Sequence, residues 1–222
     1  ECPREIRLCG PRASYISSTL KNFLKEDDRL FTTNVRYKET NSKDVVRLVS
    51  SKEFDLGIVR CQVLYEPFFL KMIQDEHLDS KVLWQFSPKV LMSPSHPLAG
   101  KEPLDHLDFS QSVELLQGDI QYPSFTPENT DCVLPDSDPR HTIYIYDRGS
   151  QYEFLRHLPG AYMWTSPVPY STLTEAKLIQ RECTRPDNVF KDLLVCRSNY
   201  RLSKAETELT QWLGRTISQL SD

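Results

Sequence analysis

The sequence lacks a long hydrophobic run and a concentrated basic segment. No apolar stretch approaches the roughly 20 residues of a membrane-spanning helix, and the N-terminal ECPREIRLCG enters a strand pattern without a signal-peptide core. The 27 Lys and Arg residues are scattered among 31 Asp and Glu, for a net charge of −4. We therefore expect a cytoplasmic protein, or a fragment of one, that by itself binds nucleic acid poorly and does not associate with a membrane.

Glycine is scarce and the cysteines are not paired in sequence. Seven glycines leave little backbone for phosphate-binding loops, and no P-loop, dinucleotide fingerprint or Gly-x-Ser-x-Gly motif occurs. The six cysteines lie far apart without a C-x-x-C pair, and no histidines stand at metal-ligand spacing. We expect no enzymatic activity, no cofactor and no metal.

Hydrophobic periodicity predicts alternating strands and helices in the first 61 residues. A helix over ASYISSTLKNFLKED carries the apolar stripe Ile16, Leu20, Phe23 and Leu24, and a second helix follows TNS with a valine face. Three strands are predicted around these helices, at 5–10, 30–39 and 54–61. The last, FDLGIVRC, has the continuous apolar content of a strand buried on both faces, so this part is predicted to be β-α-β-α-β with right-handed crossovers.

A second α/β unit is predicted after Ser87-Pro88, which interrupts the strands KVLWQF and KVLMS. It comprises a short helix at PLDHLDF, a strand at 112–117, a long Pro-rich loop at 118–141, a strand at 142–147, a helix and the strand AYMWTSP. A strand at 189–198 and a helix with the capping box Ser203–Glu206 return to the first lobe. We predict an α/β fold with two Rossmann-like lobes, two interlobe crossings and a ligand cleft between them: lobe I is 1–87 plus 167–222, and lobe II is 88–166.

His96 stands in VLMSPSHPLAG, where a histidine could be catalytic. Pro97 disfavours helical backbone at His96, and Ser95 and Gly100 favour turns. No acidic or nucleophilic partner is placed near it by sequence. We predict that His96 occupies a turn at the end of a strand.

The order of these segments resembles the effector-binding domain of LysR-type transcriptional regulators over nearly the whole chain. The resemblance is carried by ETNS before the second helix, EFDLGIV as the third strand, SHPLAG followed by LDHLDF, PGAYMWTSP, and DLLVCRS before the last helix. It implies a type 2 periplasmic-binding-protein-like fold in which a small effector binds between the lobes and the lobe motion is transmitted to DNA. It also implies a homodimer or tetramer. The winged helix-turn-helix DNA-binding domain is expected to lie outside this chain.

Ligands of open parallel α/β sheets bind beyond the carboxyl ends of the strands. In the resembling family, the first two loops supply hydroxyl or amide contacts, at positions that match Ser14 and Ser42. Three of the candidates are arginines placed after strand ends, so we predict an anionic effector that bears a carboxylate. The candidate effector-binding residues are Arg12, Ser14, Thr40, Asn41, Ser42, Arg60, Gln117, Gly118, Arg148 and Trp164.

Each of these candidates also has a purely structural interpretation. The arginines could instead form ion pairs with acidic residues of the strand ends, and Asn41 and Ser42 could do no more than cap a helix. The acidic residues considered as partners are Glu39, Asp55, Asp119 and Asp147.

Two other functions stay open from the sequence. A periplasmic solute-binding protein shares the two-lobe fold, but it would need an export signal. A thiol redox sensor would use Cys9 and Cys61, which end neighbouring strands and could form a disulfide if their Cα atoms came within about 7 Å.

Overall fold

The computed structural model describes residues 4–26, 29–119, 141–185 and 188–221. Most of the long loop predicted at 118–141 therefore falls outside the described residues. Up to residue 86 the elements are β1 (Arg4–Gly10), α1 (Ser14–Lys25), α2 (Arg29–Thr32), β2 (Thr33–Glu39), α3 (Ser42–Ser50), β3 (Leu56–Gln62), α4 (Glu66–Asp75) and β4 (Leu78–Phe86).

The remaining elements follow Pro88. They are β5 (Lys89–Met92), β6 (Leu104–Asp105), β7 (Val113–Gln117), β8 (His141–Ile145), α5 (Arg148–His157), β9 (Ala161–Thr165), α6 (Tyr170–Ala176), β10 (Ile179–Arg181), β11 (Cys183–Thr184), β12 (Phe190–Arg197) and α7 (Lys204–Ser221). Short 3-10 helices span Val63–Tyr65 and His106–Gln111.

The chain divides into two units. Unit 1 comprises Glu1–Ser87, Ser166–Pro169 and Val189–Asp222, and unit 2 comprises Pro88–Thr165 and Tyr170–Asn188. The division after Ser87 coincides with the predicted crossing, but 170–188 lies in unit 2, whereas the sequence analysis assigned it to lobe I. The reason is strand pairing, because β10 is antiparallel to β5 and β11 is parallel to β6.

Unit 1 is built on a five-stranded sheet in the order β2-β1-β3-β12-β4. β1 lies between β2 and β3 and is parallel to both, while β12 runs antiparallel to β3 and β4. One core forms where residues of α1 and α7, such as Ile16 and Leu209, meet strand residues such as Ile58. A second core contains Val45 of α3 and Ile73 of α4. The predicted β-α-β-α-β order of the first strands is confirmed.

Unit 2 is built on a second five-stranded sheet, in the order β10-β5-β9-β7-β8. Alternate residues of β9 face different cores: Met163 joins Leu155 of α5, and Tyr162 joins Phe109 of the 3-10 helix. Because β7 is parallel to both β8 and β9, the carboxyl ends of these three strands meet at one edge of the sheet.

Several elements differ from the sequence prediction. The strand predicted at 30–39 starts later, because Arg29–Thr32 form α2. Neither α4 nor α6 was predicted, although Pro67 stands in the first turn of α4, where proline is favoured. The segment PLDHLDF forms β6 and a 3-10 helix, whose start is capped reciprocally by Asp105 and Asp108.

Gly57 provides a test of the packing in unit 1. A Cβ atom at this position would lie 2.6 Å from Val45 Cγ1 and 2.8 Å from Val195 Cγ2. We expect Gly57→Ala to lower the free energy of unfolding by about 1–3 kcal/mol, because the clash requires shifts in a packed core. Urea unfolding measures this change.

Gly214 is the matched control for Gly57, because a Cβ atom there meets nothing within 4 Å. It lies on an exposed face of α7, where alanine is the better helix former, so Gly214→Ala should raise the free energy of unfolding by about 0.5–1 kcal/mol. Equal effects of the two substitutions would contradict this account of Gly57.

Candidate functional site

The six predicted residues of unit 1 lie at the carboxyl edge of its parallel strands. Hydrogen bonds tie the loops of this edge together. The Thr40 amide donates to the Gly10 carbonyl at 2.8 Å, joining the ends of β2 and β1. The Ser42 hydroxyl donates to the Arg60 carbonyl at 2.6 Å and accepts from the Arg60 amide at 3.0 Å, joining α3 to β3.

Arg60 is engaged by a carboxylate that the sequence analysis did not consider. Its Nε lies 2.8 Å from Oδ1 of Asp192, and its Nη2 lies 2.7 Å from Oδ2. The Tyr15 hydroxyl donates to the same Oδ2 at 2.7 Å. Asp192 and Tyr15 are fully buried, and the Arg60 guanidinium also lies 4.9 Å from the centre of the Phe86 ring. These contacts join β3, β12 and the first turn of α1.

Within this cluster, the positive charge of Arg60 is balanced by the negative charge of Asp192. Burial disfavours the charged form of Arg60, but Asp192 outweighs burial and raises the pKa of Arg60 above its ordinary value. Burial, together with the Asp192 carboxylate, raises the pKa of Tyr15 well above its ordinary value. Arg60 is therefore a cation and Tyr15 a neutral donor. The guanidinium of Arg60, which was predicted to bind an effector, is hydrogen-bonded to Asp192 instead.

The first turn of α3 is neutralised by its own acidic residue. Asn41 is the N-cap, and its Oδ1 accepts from the Asp44 amide at 2.9 Å. The Asp44 carboxylate accepts from the Thr40 hydroxyl at 3.1 Å and from the Asn41 amide group at 3.3 Å. The capping role considered for Asn41 is confirmed, and the side chains of Thr40 and Asn41 both serve α3.

The first turn of α1 differs from that of α3. Its N-cap is Ala13, which has no side-chain cap, and no acidic residue stands in the first turn. Ser14 begins the helix and is nearly buried, and Arg12 precedes it with partial exposure. The positive end of the α1 dipole is therefore not offset by a carboxylate of its own first turn, which favours an anion at this position.

The other four predicted residues lie in unit 2, at the carboxyl edge of β7, β8 and β9. They are Gln117, Gly118, Arg148 and Trp164. Gln117 ends β7 and pairs with Ile145, whose carbonyl accepts from the Gly118 amide at 3.0 Å. A Cβ atom at Gly118 would lie 2.4 Å from the Tyr146 ring, so this glycine is needed for the ring to pack on the backbone. Arg148 is the first residue of α5, whose N-cap Asp147 accepts from the Ser150 amide.

The ring of Trp164 is contacted by an arginine, and its indole N–H makes no hydrogen bond within the described residues. The guanidinium carbon of Arg185 lies 5.4 Å from the ring centre, a cation–π distance. The buried Nε1 atom of Trp164 has no hydrogen-bond partner within the described ranges. The sequence analysis did not identify Tyr15, Asp192 or Arg185 as residues of these edges. Asp192 could have been identified, because a carboxylate inside the apolar strand VFKDLLVC needs a buried partner.

Residues 29–119 match the family model of the LysR substrate binding domain. Among solved structures, the effector-binding domain of QuiR in complex with shikimate has a TM-score of 0.60 at 15% identity, covering 98% of each chain. The reduced regulatory domain of OxyR2 from Vibrio vulnificus has a TM-score of 0.64 at 17% identity, covering 96% of each chain. The regulatory domain of MetR, a LysR family regulator from N. meningitidis, has a TM-score of 0.58 at 14% identity, covering 97% of this chain and 94% of that one.

The chain has the fold of a LysR-type effector-binding domain. The resemblance drawn from the sequence and the predicted type 2 periplasmic-binding-protein-like fold class are thereby confirmed. No curated protein matches the sequence.

The register of β1 and β3 contradicts a disulfide between Cys9 and Cys61. Cys9 stands opposite Gly57, and Cys61 lies four residues further along β3. At about 3.3 Å per residue the two thiols are separated by about 13 Å along the strand, beyond the roughly 7 Å between Cα atoms that a disulfide tolerates. Burial raises the pKa of each thiol to about 12, so neither is a reactive thiolate. The redox alternative based on this pair is wrong.

His96 lies in a turn, as predicted, and is nearly fully buried. Its Nδ1 accepts from the Leu98 amide at 3.0 Å, and its ring centre lies 5.9 Å from that of Phe109. Accepting this bond requires the neutral ring. Burial lowers the pKa of His96 below its ordinary 6.5, outweighing the opposite effect of the Gly160 carbonyl.

The described residues contain no group of three or more His, Cys, Asp or Glu that could hold a metal ion. Within the same ranges, no helix is both long and apolar enough to cross a membrane. A surface cavity of about 270 Å³ lies beside α7 and the C-terminal end of α1, away from Ser14; it is lined by Glu26, Arg29, Glu208, Gln211, Trp212 and Arg215.

Removing the Asp192 charge tests its role at the unit 1 edge. Asp192→Asn leaves Arg60 charged and largely buried without its counter-ion, so we expect the free energy of unfolding to fall by about 3–5 kcal/mol in denaturant titration. In the Asp192→Asn background, Arg60→Met should recover part of this loss, because it removes the uncompensated charge.

The control for Asp192 is Glu5→Gln. It breaks the Glu5–Arg36 pair, in which both side chains are largely exposed, and should change stability by less than about 1 kcal/mol. If Asp192→Asn is no more damaging than Glu5→Gln, the buried pair does not have the role described here.

The lowered pKa of His96 predicts a specific dependence of stability on pH. The unfolded ring titrates near 6.5, so the contribution of the neutral ring is fully present above that pH. It is lost as the pH falls below 6.5 toward the folded pKa, with a slope of at most about 1.4 kcal/mol per pH unit.

His96→Asn retains an acceptor for the Leu98 amide and removes the titration. Urea unfolding between pH 7.5 and 5 should therefore show a smaller acid loss for His96→Asn than for the original protein. The exposed His157 provides the control substitution, His157→Asn. Parallel stability curves for the original protein and His96→Asn would refute the burial of a neutral His96.

Proposed function

We propose that this chain is the sensor domain of a LysR-type transcriptional regulator and that it binds a small anionic effector, most simply a carboxylate. The proposal rests on the match of residues 29–119 to the LysR substrate binding domain together with the absence of an acidic residue from the first turn of α1. The regulatory nature of the matched family supports a function that is not enzymatic. The location expected for such a regulator is the cytoplasm.

The contrast between two helices supports an anionic ligand. Asp44 already occupies the positive end of α3, and Asp192 already compensates Arg60. The first turn of α1 has no such carboxylate, so a ligand anion there would gain from the helix dipole at Ser14 and from the nearby charge of Arg12. Shikimate in the QuiR complex and sulfate in an OxyR2 variant are both anions.

The remaining predicted residues have different parts in this proposal. Ser42 and Arg60 shape the edge through their mutual hydrogen bonds, and Thr40 and Asn41 hold the start of α3. From unit 2, Gln117, Arg148 and Trp164 are proposed to contact the effector, while Gly118 accommodates Tyr146. That the effector lies between the two lobes stays a prediction.

Signalling in this proposal depends on differential affinity. An effector that binds one conformation of the domain more tightly than another shifts the population toward it, and couplings of about 1–3 kcal/mol are typical of such switches. The shift would be transmitted through a homodimer or tetramer to DNA-binding domains outside this chain. DNA contact is proposed only through those domains.

Calorimetric titration of the 222-residue chain with acetate, succinate, benzoate and shikimate tests the proposal. We expect at least one of these to bind saturably. Ser14→Ala should weaken that binding by about 10- to 100-fold, the value of one hydrogen bond to a charged group. Arg12→Gln should also weaken it, and increasingly so at low salt, because screening is then smaller.

Ser17→Ala is the matched control, one helical turn beyond Ser14, where the hydroxyl donates to the Ser14 carbonyl. The affinity of the Ser17→Ala chain for the carboxylate should stay near that of the original chain. Binding of an uncharged analogue, such as benzamide, as tightly as benzoate would contradict the anionic effector. Loss of affinity in Ser17→Ala equal to that in Ser14→Ala would contradict the assignment to the start of α1.

A further inference from the structure

The cavity beside α7 lies within unit 1 and apart from the proposed effector site. Four of its six lining residues stand at positions i, i+3, i+4 and i+7 of α7, which share one face of the helix. They are Glu208, Gln211, Trp212 and Arg215. The other two are Glu26, which follows α1, and Arg29, which begins α2. At about 1.5 Å per residue, the end of α1 lies about 18 Å from Ser14.

Two of the four charged residues in this cavity neutralise each other. Nη2 of Arg29 lies 3.0 Å from Oε2 of Glu208. The guanidinium carbon of Arg29 also lies 4.4 Å from the centre of the Phe23 ring, and the second oxygen of Glu208 lies 4.0 Å from the exposed Lys204. Both members of this pair are therefore already engaged by the protein.

The other two charged residues, Glu26 and Arg215, are exposed and have no such compensation. Neither forms an ion pair with any residue of the ranges 4–26, 29–119, 141–185 and 188–221. The guanidinium carbon of Arg215 lies 5.6 Å from the centre of the Trp212 ring. This cation–π contact holds the cation beside the cavity and leaves its N–H groups available. The cavity thus presents one cation, one anion and an indole ring.

We propose that this cavity is a second ligand site, which binds a small zwitterion of the free α-amino acid class with an apolar side chain. The ligand carboxylate pairs with Arg215, whose guanidinium matches two carboxylate oxygens, and the ligand ammonium pairs with Glu26. The apolar side chain packs on Trp212. This site is additional to the one proposed at the start of α1 and does not depend on it.

The balance of charges selects a zwitterion over an ion of one sign. A simple anion is attracted by Arg215 but repelled by Glu26, and a simple cation meets the reverse. The volume of about 270 Å³ lies just below the roughly 300–1,000 Å³ of most ligand pockets, which restricts the ligand to a small molecule.

Titration of the 222-residue chain with L-leucine tests the proposal, with the indole N–H signal of Trp212 followed by NMR and assigned with Trp212→Phe. We expect a saturable shift with a dissociation constant on the order of 1 mM, because exposed ion pairs each contribute little. L-Leucinamide lacks the carboxylate and N-acetyl-L-leucine lacks the ammonium. Each should bind about 3- to 10-fold more weakly than leucine.

Two substitutions match the two analogues. Arg215→Gln should bind leucine and leucinamide equally well, because the partner of the carboxylate is gone. Glu26→Gln should bind leucine and N-acetyl-leucine equally well, because the partner of the ammonium is gone. Both residues are exposed, so both variants should fold. A substitution that weakens all three ligands by the same factor would overturn the assignment of that residue.

The controls change the same charges elsewhere in unit 1. Lys71→Gln and Asp75→Asn replace exposed residues of α4 and should leave leucine binding unchanged. Equal weakening by these controls and by the cavity variants would show that net charge governs binding, and the inference would then be wrong. The absence of a saturable shift in the original chain at about ten times the expected constant would also overturn it.

The second site and the proposed function fail separately. Ser14→Ala should not change the leucine titration, and Arg215→Gln should not change the binding of acetate, succinate, benzoate or shikimate. If Ser14→Ala abolishes leucine binding, leucine occupies the start of α1 and the inference about the cavity is wrong. If leucine binds as expected and none of the four carboxylates does, the inference stands and the proposed anionic effector fails.

Discussion

The carboxylate of Asp192 is the constraint on which the unit 1 edge depends. A fully buried charge is tolerated only when a counter-ion and hydrogen bonds replace its hydration. Arg60 supplies the counter-ion through two hydrogen bonds, and the Tyr15 hydroxyl supplies a third. Arg60 lies on β3, Asp192 on β12 and Tyr15 in the first turn of α1. The hydrogen bonds to the Asp192 carboxylate therefore fix the positions of these three elements. The start of α1 is held in place by the same contacts that neutralise Arg60.

This arrangement decides where positive potential is left for a ligand. An arginine after a buried strand suggests anion binding, but a guanidinium held by a buried carboxylate contributes little net charge to its surroundings. Asp44 has the same effect on α3. With both neutralised, the start of α1, whose first turn contains no acidic residue, is the helix terminus that favours an anion at this edge. In the proposed function, recognition of the anion therefore depends on the start of α1 more than on Arg60.

Local signals in the sequence were sufficient for much of the fold. The stripe from Ile16 to Leu24 predicted α1, FDLGIVRC predicted the buried β3, and the Ser203–Glu206 capping box is present with a hydrogen bond of 2.8 Å from the Ser203 amide. Contacts between distant residues were not predictable, because nothing near Arg60 indicates a partner 132 residues away. The Cys9–Cys61 disulfide stayed open at the level of sequence for a related reason: adjacent strands were predicted correctly, but periodicity carries no information on register.

The two units differ in how their polar groups are used. In unit 1, Thr40, Asn41, Ser42 and Arg60 all have protein partners at the predicted edge, so these residues stabilise the fold whether or not a ligand binds. In unit 2, the buried donors of Gln151 and Trp164 have none among the described residues. A protein selected for stability alone would fill such positions with apolar side chains. The two units therefore differ in how completely the polar side chains near their strand ends are satisfied by the protein itself.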